Sequence, residues 1–350
     1  MKIDLHSHIV LEDTFGAAGK HGPWIEIKDD GVTYFTWSGT TRPIVNPRQR
    51  AELEATGTSR VPHWAVSDPA VRIAAMDEKG IDKMGISISP LLYLYSGEEE
   101  IAVPFASIQN DAMAKFCSHA PDRLFFMSAL PLQNMEASLA EVDRSVKTLG
   151  VKAINIGASN IAGRELDDEY FYPLWQKCED LDLLVMVHPE ATSGIQGQKE
   201  QTAAQHLLDY CYQDTLAPLT LMVGGVFDLF PKLKVYIQHG GGFLPYQWRR
   251  LEIFSAEAQR LGSQASGPRQ IKAKRPIRDY LPNLYLDLLI HDLSSRHMAL
   301  DLMGPDNIVV GDNFDGADSA DGFKFVEEMN LSSEVENKIM GGNAARILNL

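Results

Sequence analysis

Residues 3–10 read Ile3-Asp4-Leu5-His6-Ser7-His8-Ile9-Val10, a short apolar run carrying two imidazoles at alternate positions. Such a run is a β-strand with both histidines on one face, because successive strand side chains point to opposite sides. Seven similar runs follow: Lys83 to Ser89, Leu124 to Leu130, Ala153 to Gly157, Leu183 to His188, Val235 to His239, Leu284 to Ile290 and Ile308 to Val310. Between most of them lie segments of helical periodicity, namely Asp68 to Lys79, Ala106 to His119, Met135 to Leu149, Tyr172 to Asp180 and Ala203 to Phe230. Strands that alternate with helices pair in parallel through helical crossovers, and eight such units close a barrel. The predicted fold is an α/β (β/α)8 TIM barrel, with residues 1–350 as one domain.

One segment, residues 11–60, departs from the alternation. It contains Trp24-Ile25-Glu26-Ile27-Lys28, an Asp30-Gly31 turn, and Val32-Thr33-Tyr34-Phe35-Thr36-Trp37, which predicts a hairpin. An insertion after the first strand stands above the C-terminal mouth of a barrel, where loops build active sites, so it is a candidate lid. Trp24 and Arg42 within it are candidate substrate contacts. The competing use of its aromatic residues is to pack the flap onto the barrel.

The chain has 350 residues, 45% hydrophobic and 23% charged, the balance of a globular protein. Lys and Arg number 32 against 47 Asp and Glu, a net charge of −15 with no dense basic run. That charge repels nucleic acid and anionic membranes, so neither is an expected partner. The three cysteines, Cys117, Cys178 and Cys211, are odd in number and lack CxxC spacing, which suits free thiols in the cytoplasm. No apolar run of about 18 residues is present, so no membrane span is expected.

Chemistry concentrates at the strand ends. His6 and His8 project together from the first strand. His188 closes the fifth run before Pro189, and His239 closes the sixth before Gly240-Gly241-Gly242, whose missing side chains leave room for a substrate or a water molecule. Imidazoles with one carboxylate and an open position form the donor set of a catalytic zinc site. The eighth run continues as Gly311-Asp312-Asn313-Phe314-Asp315, so Asp312 and Asp315 are candidates to bind the metal or to move a proton.

Together these residues resemble the amidohydrolase superfamily, in particular its branch of 2-amino-3-carboxymuconate-6-semialdehyde decarboxylase and related non-oxidative aromatic acid decarboxylases. The likeness rests on Lys2-Ile3-Asp4-Leu5-His6-Ser7-His8-Ile9, Met76-Asp77-Glu78-Lys79-Gly80, Leu130-Pro131-Leu132-Gln133, Val187-His188-Pro189, Gly224-Gly225-Val226-Phe227, His239-Gly240-Gly241-Gly242 and Gly342-Asn343-Ala344, in that order. The resemblance implies a divalent metal, Zn2+ with Mn2+ as the alternative, held by His6, His8, His188 and an acid at the end of strand eight. It also implies His239 in proton transfer, and homodimers or higher homo-oligomers in which an arginine such as Arg250 or Arg249 meets the substrate carboxylate. The branch's Gly-Thr-Asp-Tyr stands here as Gly311-Asp312-Asn313-Phe314, so an amide occupies the acidic position. Asp312 is the expected replacement as fourth ligand and second catalytic group, with Asn313 left to contact substrate; three histidines and water are the other arrangement. The implied reaction is decarboxylation of an aromatic or muconate-type acid. Hydrolysis or hydration of a ring-cleavage product and an inactive metal-binding barrel are the alternatives.

Overall fold

The computed structural model describes residues 1–38, 40–45, 68–190, 203–262, 270–314, 316 and 319–350. The eight runs form strands β1 (Ile3–Ile9), β2 (Lys83–Ile88), β3 (Leu124–Phe126, resuming as Ser128–Ala129), β4 (Ala153–Gly157), β5 (Leu184–His188), β6 (Lys234–Ile237), β7 (Leu284–Asp287) and β8 (Ile308–Val309). Each pairs in parallel with the next. The ring closes where Asp4 bridges Val310 and Ser7 bridges Phe314, with Leu5 N donating to Val310 O at 3.0 Å and His8 N to Phe314 O at 2.9 Å. The expected barrel is therefore the observed one.

Crossover helices α1 (Pro69–Lys79), α2 (Glu99–Cys117), α3 (Met135–Leu149), α4 (Tyr172–Asp180), α5 (Ala203–Val223), α6 (Leu244–Leu261) and α7 (Leu293–Met303) surround it. Asp68, Asn134 and Asp292 cap α1, α3 and α7 by accepting from backbone amides of the first turn. Side chains on the outer face of the strands, such as Val185, Val187, Val235 and Ile237, join the helices in one large apolar core. Leu5, Met127, Leu184, Met186, Tyr236, Tyr285 and Val309 fill the barrel, and Ile347 and Leu348 of the last helix pack against them. An interior packed in this way leaves only the C-terminal strand ends for chemistry.

The predicted hairpin is present, Trp24–Ile27 pairing antiparallel with Thr33–Trp37, and Thr40–Val45 adds a third strand. Phe35 is fully buried in the large core, and Trp37 stacks on it at 5.3 Å. Ser38 Oγ donates to Leu91 O at 3.1 Å, fastening the sheet to the segment after β2. Residues 46–60 of the expected insertion lie outside the described residues.

Candidate metal centre

The motif at β1 is shaped by a bulge. Asp4 pairs with Met84 and Ser7 with Ile86, so β1 has one residue more than β2 across this step. Asp4 Oδ1 pins the bulge by accepting from His6 N at 2.9 Å and from Asp312 N at 3.1 Å. His6 and His8 are thereby delivered to one place, where they meet His188 from the end of β5. The ligand atoms of these three buried histidines lie within 4.8 Å of one another. His239 joins them, its ring centre 4.8 Å from His6 and 5.2 Å from His188. The four rings form two triangles sharing the His6–His188 edge, with His8 on one side and His239 on the other.

Each ring is anchored through Nδ1. Asp287 Oδ2 stands 3.2 Å from His6, Ser87 Oγ 3.2 Å from His8, the Pro189 carbonyl 2.5 Å from His188, and Asp214 Oδ2 3.0 Å from His239. The Ser87 hydroxyl donates to Ser7 O at 2.8 Å, so it accepts from His8. A carboxylate, a carbonyl and an accepting hydroxyl all assign the proton to Nδ1, which leaves Nε2 of each ring as the ligand or proton-transfer atom. His8 and His188 titrate well below the usual histidine value, first because burial penalises their charge and then because the neighbouring imidazoles repel it. Neutral, buried, convergent imidazoles fit a divalent ion. Asp287 remains an anion despite its burial, because His6 and the Tyr236 hydroxyl at 2.7 Å bond it; Gly240 N also donates to it at 2.9 Å.

The triple glycine has a different use from the one expected. Gly240 and Gly242 have φ of +61° and +60°; a Cβ there would stand 2.3 Å from Ile290 Cδ1 and 2.1 Å from Cys211 O respectively. They permit the turn after β6 to lie against α5 and the end of β7 rather than opening a path to the site. Phe243 N donates to Thr215 Oγ1 at 2.7 Å across the same contact. That packing brings Asp214 of α5, fully buried, against His239.

Asp312 requires a correction. Its Oδ2 is bonded by Lys79 Nζ at 2.7 Å and its Oδ1 by Gly322 N at 2.8 Å, so it serves neither the histidine cluster nor proton transfer there. Alternation gives the reason. Val309 belongs to the barrel interior and a Cβ on Gly311 would stand 2.6 Å from His6 Cβ, so Asn313 takes the inward face and Asp312 the outward one. Phe314, outward like Asp312, lies under the Arg72 guanidinium at 4.4 Å. Asp315 lies outside the described residues. Arg42 is exposed opposite Phe35 in the inserted sheet, Trp24 is half-buried, and Arg250 is exposed over the Phe254 ring at 4.6 Å. His291, which follows β7, is exposed and packs edge-on against Phe325 at 5.5 Å.

Sequence reading missed Asp287, Asp214 and Ser87. Asp287 ends the run Leu284-Tyr285-Leu286 as His188 ends its own, so the same strand-end rule identifies it. Asp214 sits inside a helix and has no local signal.

Comparison with known proteins bears on the family and the fold. The amidohydrolase family matches residues 3–350. The chain is 28% identical to 2-amino-3-carboxymuconate-6-semialdehyde decarboxylase of Dictyostelium discoideum, over all of this chain and 92% of that one. It is 26% identical to 2-keto-4-carboxy-3-hexenedioate hydratase of a Sphingobium species, over 86% and 89% of the two chains. Among solved structures, a dihydroxybenzoic acid decarboxylase from a Polaromonas species with bound manganese and the inhibitor 2-nitroresorcinol superposes with a TM-score of 0.71 at 22% identity, covering 100% of this chain and 97% of that one. With a family match that spans almost its whole length, this chain belongs to the amidohydrolase family.

Proposed function

We propose that the protein is a metal-dependent non-oxidative decarboxylase of an aromatic or muconate-type carboxylic acid. The observation that carries this reading is the set of four imidazoles, each fixed through Nδ1 and converging through Nε2. His6, His8 and His188 would hold the ion, zinc in this reading; the manganese of the Polaromonas enzyme keeps Mn2+ as the alternative. A bound divalent ion supplies Lewis-acid polarisation of a carboxylate or hydroxyl oxygen. His239, protonated on Nε2, delivers that proton to the carbon losing its carboxyl group; the C–C bond breaks, CO2 leaves and the ring or chain keeps the proton. Asp214 holds Nδ1–H and stabilises the imidazolium before transfer.

Asn313, on the inward face of β8, is read as a neutral contact for the acid, with Trp24 and Arg42 of the inserted sheet as outer contacts. Arg250 stands exposed beside Tyr246, Ile253 and Phe254, themselves exposed, which supports its use across a homodimer boundary. The cysteines are free thiols, in keeping with a cytoplasmic location, and no helix among the described residues is long and apolar enough to cross a membrane.

The match to a hydratase keeps a second reading, in which His239 acts as base toward water. Incubation of the zinc-loaded protein with hydroxybenzoic and carboxymuconate-type acids in oxygen-18 water separates the two. Released CO2 with an unlabelled organic product supports decarboxylation, and label in the product overturns it in favour of hydration.

A further inference from the structure

Gln238 is fully buried, yet neither Oε1 nor Nε2 of its amide has a hydrogen-bond partner among the described residues. It stands between β6 and His239. Val235 and Ile237 face the outer core while Tyr236 points inward to Asp287, and the backbone at Gln238 is extended, with φ −83° and ψ 177°. Alternation therefore turns the amide inward. Ile237 pairs with Val187 of β5 and Leu286 of β7, so the next residue on β6 comes level with His188 on one side and Asp287 on the other.

A primary amide buried without either kind of bond destabilises a fold, and an apolar side chain of the same size would avoid that cost. Its neighbours do not satisfy it. The Nδ1–H of all four imidazoles is committed to Asp287, Ser87, Pro189 and Asp214. The missing partner must both accept from Nε2 and donate to Oε1, which describes an oxygen atom that carries a proton and enters the centre with an ion, as water or as a hydroxyl group of a substrate.

We infer that Gln238 is a positioning residue of the metal centre, its amide hydrogen-bonding an oxygen atom held at the ion. The inference rests on the metal reading given above. It is tested with wild-type protein, Gln238→Met and Gln238→Glu, each stripped of metal and then titrated with zinc against a chromophoric chelator, with melting temperatures recorded for the stripped forms. Gln238→Met should melt a few degrees above the wild type without metal, because the orphaned amide is gone, and should bind zinc roughly 10-fold or more weakly. Gln238→Glu, which keeps the size and an oxygen, should hold zinc at least as tightly as the wild type.

A stripped Gln238→Met protein that melts below the wild type overturns the inference, since the amide then has a structural role. Zinc affinity of Gln238→Met within twofold of wild type, or of Gln238→Glu as weak as Gln238→Met, overturns it as well. If wild-type protein takes up no zinc or manganese, the metal reading itself fails and this inference falls with it.

Discussion

Acid should destabilise the metal-free protein through the imidazoles it forces to charge. His8 and His188 are held well below the ordinary histidine value, chiefly by burial. In the unfolded chain both titrate near pH 6.5. Below that pH the unfolded state binds more protons than the folded one, so stability falls as pH falls. One unit under the unfolded value, at pH 5.5, each histidine costs about 1.4 kcal/mol, and the pair about 3 kcal/mol relative to pH 7.5. With an unfolding entropy of about 2 cal/mol/K per residue, 350 residues convert this to a melting temperature about 4 °C lower. Asp4 works in the opposite sense. Burial and the neighbouring Asp312 push its carboxyl well above the carboxylate range, so its burden is relieved as pH falls. The comparison is therefore with the His8→Gln/His188→Gln double variant, in which the Asp4 contribution persists and cancels. Calorimetry of chelator-treated protein at pH 7.5 and 5.5 should show the wild type losing about 4 °C more than the double variant. Equal losses would refute the assignment of neutral, buried rings.

Three further outcomes follow from the same geometry. His188→Ala should lose bound zinc and turnover together, whereas His239→Ala should keep most of the metal by elemental analysis and lose turnover; activity in the first variant contradicts the ligand assignment. Asp214→Asn removes the acceptor that holds Nδ1–H of His239 and should lower kcat about 100-fold with KM little changed, and restoration by Asp214→Glu separates loss of the carboxylate from loss of fold. Lys79→Met strips the buried Asp312 of its cation and should cost about 3 kcal/mol in urea unfolding at pH 7, with a smaller loss at pH 5, where Asp312 and Asp4, both raised by burial, take up protons more readily; a loss that does not shrink in acid speaks against this buried pair.

The barrel was legible because its signal is repeated. Eight apolar runs with helical segments between them leave few alternatives, and the end of Met135–Leu149 at Gly150 could be read from composition alone. Helix α6 is not among the predicted helical segments; Tyr246, Ile253 and Phe254 are exposed apolar residues on it. His188 and His239 are legible as candidates because a strand end is a local feature, and His6 and His8 because alternate positions of β1 share a face. Asp312 was misjudged for a related reason. Composition says that an acid stands at the end of β8, but only the alternation from Val309 through Gly311 says which neighbour faces inward. Asp214 depends on α5 docking against the turn after β6, a contact between distant stretches that no local pattern encodes.

Two buried carboxylates stand one bond behind the centre, and a third is turned away from it. Asp287 bonds His6, Asp214 bonds His239, and Asp312 is turned outward to Lys79. The three-histidine group contains no carboxylate of its own. A divalent ion held by neutral imidazoles keeps its charge toward whatever binds next, which favours an acid substrate despite a chain charge of −15. Asn313 is the inward residue of β8 at which this balance can be reversed. Two unit charges about 6 Å apart interact by about 3 kcal/mol at an effective dielectric of 20, so a carboxylate at that position opposes an incoming acid strongly even after partial screening. Asn313→Asp should therefore bind zinc more tightly in chelator competition while raising KM for the acid by at least about 10-fold, a 1.4 kcal/mol effect. An unchanged KM in fully metal-loaded Asn313→Asp protein would mean that the acid group never approaches the β8 side of the centre.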